Sequence, residues 1–143
     1  MDSHFQKLIN MYQKAPIQQL YPETVMEIKE MGHAEITMPV DSSHFHAAGA
    51  LHGSVYFRLL DDSSFFAANS MVQDVFVLTA QYNTQFLRPC SGGELKAVGN
   101  VVSMSRQSIV AESILYDSKQ RIIGKGSGIF LKSSIPLNSE IGY

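Results

Sequence analysis

The chain has 143 residues, 45% of them apolar and 17% charged, with a formal net charge of −2, which is enough for one domain, residues 1–143, with a sizeable core. It has no basic block to mark a nucleic-acid binder and no apolar run near the roughly 18 residues of a membrane span. One cysteine, Cys90, excludes an internal disulfide framework, and Met1-Asp2-Ser3-His4 lacks the basic and apolar leader of a signal peptide, so a cytoplasmic enzyme or binding domain is the expectation.

Residues from Asp2 to about Lys14 predict a helix, with Phe5, Leu8, Ile9 and Tyr12 at helical spacing. Pro16 and Pro22 bracket a connector. Thr24 to Met31 and His33 to Val40 alternate apolar and polar residues about a turn at Gly32, which predicts a hairpin. Asp41 to Gly49 is loop. Ala50 to about Met71 is the long helix. Val55, Tyr56, Leu59, Leu60, Phe66 and Ala67 share one face of it, and Ser54, Phe57, Arg58, Asp61 and Phe65 share the other. Two phenylalanines on the second face predict that this helix is covered on both sides, by its own sheet and by a second subunit or a ligand.

After Asp74 the period changes to two. Phe76, Leu78, Ala80, Tyr82, Thr84 and Phe86 fall on one face of a strand, and Val75, Val77, Thr79, Gln81, Asn83 and Gln85 on the other. Thr79 is thereby placed on a polar face that points outward, to water or to a second subunit. Glu94 to Met104, Ser108 to Tyr116 and Arg121 to Lys132 continue as a meander. Gly124, Gly126 and Gly128 alternate along the last strand, which predicts close packing over it, by the central helix. The order of elements predicts an α+β fold, an antiparallel sheet around one long helix.

Chemistry concentrates where loop becomes helix. His52-Gly53 lies at that junction, where glycine allows close backbone approach and the first helical amides lack internal partners. Such an amide can polarise a carbonyl whose oxygen becomes anionic during attack. Asp61 then falls between Phe57 and Phe65, its neighbours one turn away on each side. Apolar flanks raise a carboxyl pKa toward the range of a general base. The plainer reading of Asp61 is a surface pair with Arg58. Asp62 can pair with Arg58 at i−4 and reads as structural. His44, His46 and His52 contain a His-x-His spacing, but no cysteine or carboxylate completes a metal shell. Cys90, in a turn after Pro89, has no neighbouring base and reads as a spectator.

These residues carry a resemblance. Gly49-x-Leu51-His52-Gly53, Asp61 eight residues on, Thr79, the run Asn83-Thr84-Gln85-Phe86-Leu87-Arg88-Pro89 and Gly93-Glu94-Leu95 resemble the hotdog-fold acyl-CoA thioesterases, of the phenylacetyl-pathway type related to 4-hydroxybenzoyl-CoA thioesterases, over roughly residues 33–132. The resemblance implies a hotdog fold and a homodimer or tetramer with each site shared between subunits. It implies Asp61 as nucleophile or general base, the Gly53 amide on the thioester carbonyl, His52 positioning the thioester, and Thr79 holding the water or the carboxylate. Relatives carry asparagine six residues before His52; here His46 stands there, and an imidazole can also donate and accept. Arg88 and Arg106 are candidates for the coenzyme A phosphates, or solvated turn residues. The resemblance implies no cofactor beyond the coenzyme A of the substrate, and no nucleic-acid or membrane partner. A non-catalytic acyl-CoA or acyl-carrier binder using the same pocket is the alternative. A hotdog dehydratase is another, although no histidine follows Gly53 to act in its acid/base pair.

Overall fold

A computed structural model describes residues 3–143. Helix α1 spans Ser3–Lys14, where expected; Asp2 lies outside the described residues. A 3-10 turn, Pro16–Leu20, fills the proline-bracketed connector. Strands β1, Val25–Glu30, and β2, His33–Pro39, form the predicted hairpin about Gly32, whose φ of +79° is left-handed and suits glycine. The long helix α2 spans Gly53–Asn69, and β3, Val75–Phe86, β4, Glu94–Met104, β5, Ser108–Tyr116, and β6, Ile122–Pro136, follow.

Among the described residues the strands make one six-stranded antiparallel sheet in the order β1-β2-β4-β5-β6-β3. Its inner face presents Ile36, Leu95, Ala97, Ile109, Ala111, Leu115 and Phe130, all fully buried, to Val55, Leu59 and Leu60 of α2. Helix α1 lies on the β1 side and turns Tyr12 edge-on to Phe66 of α2, 5.0 Å between ring centroids. This is the α+β hotdog arrangement expected from the sequence.

Three local features depart from the periodic reading. Helix α2 begins at Gly53 rather than Ala50, because Leu51 pairs in a β-bridge with Phe45 and His52 serves as N-cap. In β3, Thr79 pairs with Phe130 and Gln81 with Ile129, so Ala80 is an extra residue, a β-bulge. The bulge shifts the parity of the strand. Val77, Thr79 and Tyr82 all face the helix, and the outward placement of Thr79 is corrected accordingly. The second face of α2 is covered in part by the chain's own N-terminal segment, which buries Arg58, while Phe57 stays 41% exposed.

The glycine stripe on β6 is packed over, by the central helix as expected at Gly124 and by a strand residue instead at Gly126 and Gly128. A side chain at Gly124 would press on Tyr56 and Leu60 of α2. One at Gly126 or Gly128 would collide with the ring of Tyr82 on the neighbouring strand. That ring reaches across because its hydroxyl bonds the Leu60 carbonyl and the Ser64 hydroxyl on α2.

Candidate active site

The loop before α2 sets up the first half of the site. His46 accepts the Ala48 amide on Nδ1 and closes a tight turn, in which Gly49 takes a φ of +82°. His52 caps α2: its Nδ1 accepts the Ser54 N–H at 3.1 Å and stands 2.8 Å from the Ser54 hydroxyl. With Nδ1 as acceptor, the ring proton sits on Nε2. Gly53 is the first helical residue, so its N–H has no carbonyl one turn back inside the helix, and no loop carbonyl among the described residues takes it. A Cβ here would stand 3.2 Å from Phe86. His46, Gly53, Tyr56, Phe86 and Arg88 line a cavity of about 310 Å³ at this helix start.

The second half lies further along α2. Thr79 donates from its hydroxyl to one oxygen of Asp61 at 2.9 Å. Burial pushes the Asp61 carboxyl above the usual aspartate range, against the Thr79 hydrogen bond. Asp61 opens on its own cavity, also about 310 Å³, with Tyr12, Gln18, Phe65, Phe76 and Thr79 in its wall. Asp62 lines the same cavity with different partners. The Tyr12 hydroxyl donates to it at 3.0 Å and Arg58 approaches to 3.5 Å, so the pairing expected for Asp62 is formed and Arg58 is not the partner of Asp61. Burial nevertheless raises the Asp62 carboxyl to about 6, outweighing Arg58.

The structure thus joins Asp61 to Thr79, and Gly53 to His52, His46 and Arg88, but keeps the two groups apart. Eight residues along a helix is about 12 Å. One carbonyl cannot lie within hydrogen-bond reach of both the Gly53 amide and the Asp61 carboxylate of a single chain. Arg106 is in neither group. It lies in the β4–β5 turn, beside the end of β6 where Lys132 bonds Gln107, whereas Gly53 abuts Phe86 at the opposite end of β3. The three loop histidines do not converge: His44 Nε2 meets the Leu20 carbonyl, and the other two serve the turn and the cap. Among the described residues no group of three or more His, Cys, Asp or Glu is placed to hold a metal. Cys90 is buried with its thiol directed to the Gly92 carbonyl, 3.4 Å away. Among the described residues no helix is long and apolar enough to cross a membrane.

Tyr12 and Gln18 were not among the expected site residues. Tyr12 stood out only as an apolar position of α1, and no spacing tells which part of α2 that helix will meet.

The fold agrees with that of known proteins. The PaaI protein of E. coli, from the phenylacetic acid degradation operon, superposes with a TM-score of 0.84 at 22% identity, over 93% of this chain and 95% of that one. A thioesterase family protein of Silicibacter pomeroyi gives 0.82 at 24% identity, over 90% and 96%. A protein of Saccharolobus solfataricus, named as a candidate esterase, is 22% identical over 102 residues, 71% of this chain and 68% of that one. Residues 48–123, which carry Gly53, Asp61, Thr79 and Arg88, match the model of the thioesterase superfamily, and it is to this family that the chain belongs.

Proposed function

We propose that the protein hydrolyses acyl-CoA thioesters, with short, medium or aryl acyl groups, in a homodimer whose two sites each combine residues from both subunits. The observation that carries this is the desolvated carboxylate of Asp61, held by Thr79 and facing an apolar cavity, on a helix whose N-terminus offers a free amide about 12 Å away. Strand β3 supports the pairing. It is an edge strand of 12 residues without proline or charge, and beyond the Ala80 bulge its residues 81–86 keep a regular register that a further strand can join. Antiparallel pairing of two β3 edges about a two-fold near Tyr82 and Asn83 would bring the Thr79 end of one strand beside the Phe86 end of the partner subunit's strand. Asp61 of one chain then meets Gly53 of the partner subunit across the interface, because Thr79 bonds Asp61 and Phe86 abuts Gly53. Phe57, beside Tyr82 at 5.8 Å and half-exposed in the single chain, would be covered by the same contact.

In this reading the thioester oxygen accepts the Gly53 N–H, and His52, the N-cap next to it in the chain, fixes the helix start that presents this amide. Water adds to the carbonyl carbon and gives its proton to Asp61. The tetrahedral intermediate collapses, the carbon–sulfur bond breaks, and the departing thiolate takes the proton back, leaving a carboxylic acid and coenzyme A. Arg88, at the mouth of the Gly53 cavity, is placed to meet the coenzyme A phosphates. Thiol release from a panel of acyl-CoAs tests the proposal. Asp61→Asn should fold, dimerise and bind acyl-CoA yet lose about 10²- to 10⁴-fold in kcat. Acyl-CoA binding without thiol release by the native protein would instead support the binder reading.

A further inference from the structure

The N-terminal segment is fastened onto α2 beside Asp61. Arg58, 7% exposed, donates from Nη2 to Gln18 Oε1 at 2.7 Å and lies 4.0 Å from the ring centroid of Tyr21. Tyr12 bonds Asp62. These contacts hold α1 and the 3-10 turn as a fixed wall of the Asp61 cavity. Behind that wall lies a larger cavity of about 510 Å³, lined by Met11, Lys14, Ala15, Phe76, Ile135 and Gly142 among others. Met11, Ala15 and Phe76 line both spaces. The charged groups of the larger cavity, Lys14 and Glu140, are exposed residues, and its other walls are mainly apolar. Its far side comes from the C-terminal residues, which are fixed by the 2.7 Å bond between the Tyr143 hydroxyl and His4 Nδ1.

The geometry points to a two-chamber acyl site, in which a straight alkyl chain whose thioester carbonyl lies beside Asp61 runs past Met11, Ala15 and Phe76 into the larger cavity, so that the N-terminal segment sets chain-length preference. This rests on the acyl-CoA reading above and narrows it to linear saturated acyl groups of medium length. The occupant follows from the way the two spaces adjoin. The larger cavity adjoins the space that the carboxylate faces, shares three residues with it, and is lined mainly by groups that favour hydrocarbon. Each methylene moved from water into such a cavity should tighten binding about fourfold when fully buried.

The test uses S-butyl-CoA and S-decyl-CoA, thioethers that cannot be hydrolysed, with binding measured by calorimetry. The native protein should prefer the decyl compound by on the order of a hundredfold, allowing for partial burial of six methylenes. Two variants reduce the space for the chain at different points. Ala15→Phe acts at the shared wall, where a backbone at φ −61°, ψ 135° accepts any side chain. Ile135→Trp acts in the larger cavity alone, from a position 39% exposed that should tolerate the substitution. Each should lower the decyl-to-butyl preference at least about tenfold with little change in melting temperature. An unmoved preference in both folded variants, or equal weakening of both thioethers, overturns the two-chamber site. Thiol release from butyryl- and decanoyl-CoA is measured in parallel. Release with an unmoved preference removes the chamber and leaves the hydrolase; a moved preference without release removes the hydrolase and leaves the chamber.

Discussion

Gly53→Pro isolates the helix-start amide from every other role of that residue. Proline at the first helical position is favourable, and the residue before it must be extended; His52 already stands at φ −63°, ψ 144°. The ring will press on Phe86, where a Cβ would come within 3.2 Å, but Phe86 is 57% exposed and can turn aside. The helix should therefore survive, with a melting temperature within a few degrees of native, while the N–H is lost. Loss of one oxyanion donor should lower kcat about 10²- to 10³-fold. The stronger test pairs this variant with Asp61→Asn. If amide and carboxylate belong to opposite subunits, each homodimer is impaired at both sites. A heterodimer of the two variants has one site with both lesions and one intact site. Random pairing of equal amounts makes about half the dimers mixed, so coexpression should restore about a quarter of native activity. Heterodimers purified through two different tags and found as inactive as the parents would refute the shared site.

Other outcomes follow from the same geometry. The protein should be at least a dimer by light scattering at micromolar concentration; a monomer would remove the pairing of β3 edges and the mechanism with it. The acid limb of the pH–rate profile should lie above the usual aspartate range, because burial raises the Asp61 carboxyl, and activity should grow as that group loses its proton. Asp62 has a folded pKa of about 6 against 3.8 unfolded, so the folded state holds the extra proton and its contribution to stability is greatest below pH 4 and falls away as pH rises to 6. Asp62→Asn cannot titrate; denaturant titrations should show its stability relative to native shifting by about 2 kcal/mol in its favour between pH 4 and 6.5, and a shift of opposite sign would mean that Arg58, not burial, governs this carboxyl. Cys90→Ala should keep thiol release within a few fold, since the thiol faces only the Gly92 carbonyl; its loss would point to a covalent thiol.

The order of helices and strands was legible because α2 and the meander each keep one period for many residues. Asp61 was legible as a lone carboxylate between two phenylalanines, although those two rings part company in the fold. Phe65 lines the Asp61 cavity, whereas Phe57 turns to Tyr82. The start of α2 was not legible to the residue, since an imidazole capping the helix and a leucine pairing with Phe45 look alike to a hydrophobic pattern. The side of β3 that carries Thr79 was misread because period-two counting assumes no extra residue. The position of Tyr12 and Gln18 over Asp61 depends on where a separate helix docks, which no local spacing records.

Ala80 has no hydrogen-bonding register of its own, yet it allows two demands on one strand to be met together. Upstream of it, Thr79 must reach the carboxylate; downstream, Tyr82 must lie across the glycines of β6 and bond α2. The two residues are three apart, and a regular strand would send them to opposite faces. Deleting Ala80 would leave the two residues two apart, on one face of a regular strand with the same partners on β6, so both contacts should survive; what they do not survive is a strand of the present length drawn straight, which turns either the threonine or the tyrosine away. The demand is on the parity of the strand rather than on the identity of the residue, so substitutions at Ala80, and its removal, should both leave the Asp61 and glycine-stripe contacts in place.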